Sequence, residues 1–315
     1  VQERALKDIK EKESLYSLSL CIADVVIKVV SPFKISIERQ DKSYKDFIEK
    51  SCKSEYDILA EIPNKPLSRW INNEKFKLFE SGESWSLYKK KNDYYIIYFP
   101  PAFKKPLLVA EAKDEFSKVR ISCSGEYLER RDKHLYVFNP VSYPLDQIIM
   151  IHYLANRDGI LIHSAGIKKD ERGYLFPGIS GAGKSTLSSM ICESDYEYNV
   201  LSDDRIIIRR KRDFHFIYGT PWAGEGGLAI NESACLKGIF FIEKGDRNEI
   251  VRIKEDEAFR RIMLVVSIPW YEKGFITGIL DFCDSLISMI PSYVFRFKIS
   301  KDVVEVFDEF VNREI

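Results

Sequence analysis

The sequence predicts an α/β protein in two parts, a β-rich domain over residues 1–140 and an α/β domain over residues 141–315. Three observations predict it. Residues 178–185 read Gly178-Ile179-Ser180-Gly181-Ala182-Gly183-Lys184-Ser185, a full G-x-x-x-x-G-K-[ST] loop, followed by Thr186. The loop lies between a short apolar run that can end a strand, Gly173 to Pro177, and a helical stripe of Leu187, Met190 and Ile191. From about 16 to 138 the texture is instead one of short β-branched and aromatic runs with few helical stripes, as in an antiparallel β-rich module.

Each element follows in order. Residues 1–13 are charged and predict a helical or frayed start. Val25 to Val30 and Lys34 to Ile37 are β-branched runs broken by Ser31-Pro32. Trp85 to Tyr88 leads to a turn at Lys91-Asn92-Asp93, and Tyr94 to Phe99 ends at Pro100-Pro101. Val119 to Cys123 and Leu135 to Phe138 complete the series, and Asn139-Pro140 punctuates the chain. Leu145, Ile148, Ile149, His152 and Tyr153 share a helical stripe within Pro144 to Arg157, stopped by Asp158-Gly159. Strands are then expected at Ile160 to Ile167, at 174–176 and, beyond the loop and its helix, at Asn199 to Ser202. Ile206-Ile207-Ile208 and Phe214 to Ile217 predict a hairpin, and Gly219 to Gly227 a glycine-rich loop. Gly238 to Ile242 is near-continuously apolar, the pattern of a buried strand. Helices fill much of 255–266 and 275–289. A last strand, Tyr293 to Ile299, precedes a terminal helix with Val303, Val304, Phe307 and Phe310.

The bulk composition excludes some function classes. With 48 basic and 48 acidic residues the formal net charge is zero, so no global field favours nucleic acid. Lys89-Lys90-Lys91 and Arg209 to Arg212 read as solvated turns. The six cysteines form no C-x-x-C pair and none sits near a histidine at zinc spacing; they are expected to be reduced thiols of a cytoplasmic protein. The charged start has no signal-peptide pattern. The apolar stretch Ser17 to Val30 is interrupted by Asp24 and Lys28, so no membrane span is expected.

The chemistry concentrates around the loop. Its glycines let successive N–H groups turn inward on phosphate oxygens. Lys184 adds a point charge, Ser185 offers a hydroxyl to Mg²⁺, and the next helix aims its positive end at the anion. Gly178, Ser180, Gly181, Ala182, Gly183, Lys184, Ser185 and Thr186 are therefore expected to cradle the phosphates of a nucleotide. Asp203 and Asp204 end an apolar strand nineteen positions beyond Lys184, where ligands of an open α/β sheet collect. One carboxylate can hold Mg²⁺ and its neighbour can take a proton from an attacking hydroxyl. Adjacent residues of a strand face opposite ways, so a turn must begin here for both to serve. His163, on the strand before the loop's own, can meet a phosphate or orient the aspartates. His134, His152 and His215 are assigned to structure. The four glycines, Trp222 and Glu225 of the 219–227 segment suggest a mobile loop that covers substrate.

Together these residues resemble the HPr kinase/phosphorylase family, its broader set of HPr-kinase-like proteins and, more distantly, phosphoenolpyruvate carboxykinases. The shared pattern is a His-containing strand, a G-x-S-G-x-G-K-[ST] loop and an Asp-Asp-Arg segment, here His163, Gly178 to Ser185, and Asp203-Asp204-Arg205, within about 144 to 315. The resemblance implies a mixed β-sheet P-loop kinase core of the HPr kinase/phosphoenolpyruvate carboxykinase type. It implies transfer of the γ-phosphate of ATP, with Mg²⁺, to a serine-type hydroxyl on a protein, peptide or small molecule. By that resemblance Asp203 would be the general base, Asp204 and Ser185 the Mg²⁺ environment, and His163 and Lys184 partners at the phosphates. Glu225 would match a metal-adjacent glutamate, in surroundings that differ from the family's. Arg205, Arg260 and Arg261 are candidates for a γ-phosphate contact. The segments behind phosphorylase activity have no match here. The alternatives are a nucleotide-regulated switch and a carboxykinase-type enzyme; the latter needs a Lys/His metal pair that the sequence lacks. The β-rich domain is expected to recognise the acceptor, through strand edges open to an extended peptide, or to support homo-oligomerisation.

Overall fold

A computed structural model describes residues 15–37, 42–49, 55–65, 67–82, 84–103, 105–300 and 302–315, so the start predicted over 1–13 lies outside the described residues. The chain divides into two compact units, Val1–Tyr153 and Leu154–Ile315.

The first unit is built from period-two strands. In β2 the buried residues Val25, Ile27 and Val29 alternate with half-buried Val26, Lys28 and Val30, so one face of the sheet is core. The strands are β1 (Tyr16–Ile22), β2 (Val25–Ser31), β3 (Lys34–Ser36), β4 (Ile58–Glu61), β5 (Lys77–Glu80), β6 (Trp85–Lys90), β7 (Asp93–Tyr98), β8 (Leu108–Lys113), β9 (Lys118–Cys123), β10 (Leu128–Arg131) and β11 (His134–Phe138). One sheet runs β1-β2-β4-β9-β8-β7-β6-β5 and a smaller one β10-β11-β3. The module is mixed rather than antiparallel throughout: β2 with β4, β4 with β9 and β11 with β3 are parallel. Pairing between sequence-distant strands leaves no local trace, and β4 is only four residues long. The expected turn after β6 is present, with Lys91 at φ 58°.

Helix α1 (Leu145–Leu154) almost wholly belongs to this unit, thirteen residues beyond the Asn139-Pro140 punctuation. Its contacts explain why. The Tyr44 hydroxyl donates to the buried Asp146 carboxylate, and the His152 ring stacks on Phe116 at 4.4 Å.

The second unit joins β12 (Gly159–Lys169), β13 (Arg172–Pro177), β14 (Asn199–Ser202), β15 (Arg205–Lys211), β16 (Phe214–Tyr218), β17 (Ser233–Lys244), β18 (Glu249–Arg252) and β19 (Ser292–Phe297) into one mixed sheet. Its helices are α2 (Lys184–Cys192), α3 (Glu255–Ile262), α4 (Lys273–Met289) and α5 (Val303–Glu314). The expected hairpin of β15 and β16 is present, with Ile208 opposite Ile217.

Five of these strands close on themselves. β13 pairs with β12, β12 with β15, β15 with β16, β16 with β17, and β17 returns to β13. A five-stranded barrel has little room inside. Gly166 of β12 provides that room: a Cβ there would stand 2.6 Å from Cδ1 of Ile206. On the other face, Ile167, Tyr174, Phe176, Phe240 and Phe295 pack with Leu187 and Ile191 of α2 and Val304 and Phe307 of α5. Asp308 ties α5 down, accepting from the Tyr198 hydroxyl at 2.9 Å and the Lys169 ammonium at 2.8 Å.

Candidate functional site

β13, β17 and β19 are mutually parallel, so they end on one side of the sheet, at Pro177, Lys244 and Phe297. Ligands of α/β sheets collect outside such carboxyl ends. A cleft of about 750 Å³ lies there. Ser180, Gly181, Gly183, Lys184, Ser185 and Thr186 line it from the β13 side, and Lys244, Gly245, Phe297, Lys298 and Ile299 from the β17 and β19 side. His163, Asp204, Gly224 and Glu225 complete the wall.

The 178–185 loop is shaped by its glycines. Gly181 and Gly183 sit at φ 79° and 107°, in the left-handed region open to glycine. Gly183 caps α2, whose first turn therefore presents Lys184, Ser185 and Thr186 to the cleft. The Lys184 ammonium donates to the carbonyls of Gly178 at 2.9 Å and Ile179 at 3.3 Å. Burial holds its pKa below lysine's ordinary value, against the pull of the nearby Asp204 carboxylate. Gly178 and Ala182 shape the loop from behind without lining the cleft; a Cβ on Gly178 would meet the Ala182 methyl at 2.9 Å.

The turn required by two useful carboxylates is present. β14 ends at Ser202 and β15 starts at Arg205, leaving Asp203 and Asp204 in the connection. Asp204 lines the cleft, and its Oδ1 accepts from His163 Nε2–H at 2.8 Å. Burial pushes its pKa up, but the His163 hydrogen bond and the charges of Arg205 and Lys184 outweigh this and hold it below the usual carboxylate range. His163 is fixed by its backbone, whose N–H donates to Val265 O at 2.8 Å, and by its pairing with Arg205 across β12 and β15.

Asp203 is placed differently from the expectation of a substrate-facing base. It is fully buried and does not line the cleft. Its oxygens accept from the Gly224 and Gly226 amides, both at 2.8 Å. The 219–227 segment is likewise anchored where a mobile cover was expected. Trp222 is 5% exposed, Thr220 donates to Arg205 O at 2.7 Å, and Ile230 N–H to Leu201 O at 3.0 Å. None of the three candidate arginines lines the cleft. Arg205 lies 3.6 Å from Asp204, Arg260 pairs with Asp256, and Arg261 is held by Glu243 and Glu257. Lys244, Gly245, Phe297, Lys298 and Ile299 are cleft residues that the sequence motifs do not mark. The rule that sites form at strand carboxyl ends points to them, since they lie at, or within three residues of, the ends of the strands expected at Gly238 to Ile242 and Tyr293 to Ile299.

Among the described residues no group of three or more His, Cys, Asp or Glu could hold a metal by itself. The cleft does offer hard oxygen donors, the Ser185 hydroxyl and the Asp204 and Glu225 carboxylates. That set suits Mg²⁺, which takes few protein ligands and leaves the rest to water and phosphate.

Fold and cleft together define a mixed α/β protein with a glycine-rich loop at a helix N-terminus, facing a histidine–carboxylate pair. No protein-family model matches the chain, and no curated protein matches it. Among solved structures it is similar to the Hpr(Ser) kinase/phosphatase from Coxiella burnetii, at 14% identity and a TM-score of 0.30, over 49% of this chain and 88% of that one. At that level the likeness is distant, and the chemistry rests on the residues. Among the described residues no helix is long and apolar enough to cross a membrane.

Proposed function

We propose that the chain is an ATP- and Mg²⁺-dependent phosphotransferase acting on a serine-type hydroxyl of a protein, peptide or small molecule. The observation that carries this reading is a single cleft containing both the 178–185 loop with Lys184 and the His163–Asp204 pair. Phosphoryl transfer asks for charge neutralisation and in-line positioning more than for covalent chemistry. The amides of the loop and the first turn of α2, with Lys184, would take the phosphates. The nucleoside end would run toward Lys244, Lys298 and Ile299, away from the histidine–carboxylate side.

Asp203 is enclosed, so Asp204 is the carboxylate left to receive the hydroxyl proton. The His163 bond fixes its orientation and, with the charges of Arg205 and Lys184, holds its pKa below the usual carboxylate range against the effect of burial. Ser185, with Glu225, would hold Mg²⁺, which supplies neutralisation of phosphate charge when bound.

The test is mass spectrometry of a lysate incubated with labelled ATP. Wild type is expected to label a hydroxyl-bearing species that Lys184→Ala does not. Labelling by neither, with ATP binding intact in the wild type, would favour a nucleotide-regulated switch.

A further inference from the structure

We infer that Asp203 is a positioning residue, which clamps the Gly224–Glu225–Gly226 segment and so sets Glu225 into the wall of the cleft. For the use made of Glu225 this rests on the phosphotransfer reading; the clamp itself rests on geometry. Asp203 is fully buried, and each of its carboxylate oxygens is used: Oδ1 accepts from the Gly224 amide and Oδ2 from the Gly226 amide, both at 2.8 Å. The residue between those amides is Glu225, which is exposed and lines the cleft with Asp204 and Ser185. A carboxylate accepts at both oxygens and donates at neither, so it can hold two N–H groups at once. An asparagine would turn its own NH₂ toward one of them.

The glycines answer the same contact from the other side. A Cβ on Gly226 would stand 2.6 Å from Asp203 Oδ2; on Gly224 it would stand 3.1 Å from that oxygen and 3.0 Å from Asp204 Cβ. The loop's return is tied as well. The Asp203 N–H donates to Leu228 O at 3.3 Å, the Gly227 N–H to Gly224 O at 3.1 Å, and Ser202 bridges to Ala229. The adjacent aspartates therefore divide their work. Asp204 faces the cleft, and Asp203 holds the adjoining Gly224–Gly226 segment in place.

Hydrogen exchange of the full chain without nucleotide, read on peptides covering 219–230, tests the clamp. Asp203→Asn is expected to exchange there at least about tenfold faster, with peptides of α2 and β13 unchanged. Gly226→Ala, which keeps the carboxylate and displaces the loop, is expected to do the same. Unchanged exchange in both variants overturns the clamp. So does an increase shared by α2 and β13, which would make Asp203 a general prop of the fold.

Mg·ATP hydrolysis separates positioning from chemistry. Asp203→Asn is expected to lower kcat roughly 10- to 100-fold with the KM for ATP little changed, and to keep the acid limb of the pH profile. Glu225→Gln should show a similar loss, and the double variant no further one. Disappearance of the acid limb in Asp203→Asn would make it the base and overturn the positioning role; so would fully multiplicative losses. If the wild type binds no Mg·ATP, the phosphotransfer reading fails, and the exchange result still decides the clamp.

Discussion

Asp204 and His163 make the most consequential side-chain contact in the cleft, a hydrogen bond of 2.8 Å between a strand residue and a turn residue 41 positions apart. If Asp204 takes the acceptor proton, Asp204→Asn should lower transfer by roughly 10²- to 10⁴-fold and leave ATP affinity nearly unchanged. A fluorescent ATP analogue and a labelling assay read the two quantities separately. A different residue contributes to the response to mild acid. His215 is 1% exposed, with an edge-on contact to Phe282 at 5.5 Å and no hydrogen-bond partner for either ring nitrogen among the described residues. Burial, with the nearby Arg210 charge, holds its pKa below histidine's ordinary value. The unfolded chain then binds the proton first as pH falls, so stability present above about pH 6.5 is lost below it. Urea midpoints at about pH 7 and pH 5 should differ more for the wild type than for His215→Phe, which has no proton to bind. Assignment of His215 to structure needed only its place in a predicted strand. The separate fates of Asp203 and Asp204 could not be read that way, because they depend on amides 21 and 23 residues beyond Asp203.

At the scale of elements, most of the second unit was legible. Near-continuous apolar runs and helical stripes located β12 to β16, α2, α4 and α5 within a few residues, and the buried C-terminal half of β17, because the central strands are buried along most of their length. In the first unit β1, β4, β5, β8 and β10 were not singled out. β4 and β5 are four-residue segments whose identity comes from their neighbours. Closure of β12, β13, β15, β16 and β17 into a barrel also left no sequence signal beyond a glycine in an apolar strand. That glycine is testable. Gly166→Ala should cost about 1–3 kcal/mol through its clash with Ile206, measured by urea denaturation, and Ile206→Val should recover part of the loss.

Taken as a whole, the molecule keeps its cleft within one unit: among the described residues, every one that lines it lies in Leu154–Ile315. A protein comprising residues 154–315 should therefore bind a fluorescent ATP analogue with an affinity within about a factor of ten of the full chain. If the first unit selects the acceptor, the same truncation should abolish selective labelling in lysate while binding persists. Starting such a protein at 141 would split α1 from Tyr44 and Phe116, and so carry an exposed apolar stripe.

The barrel has a consequence for time as well as for shape. β13, the strand that delivers the 178–185 loop, is paired on both sides and belongs to a circuit with no loose end. Fraying begins at edges, and over Arg172–Leu175 this strand has none to offer. Its amides should be among the last to exchange with solvent, and then only when the whole circuit opens. The base of the loop is thereby tied to the closed circuit, and loss of ligand binding there is expected to coincide with opening of the barrel.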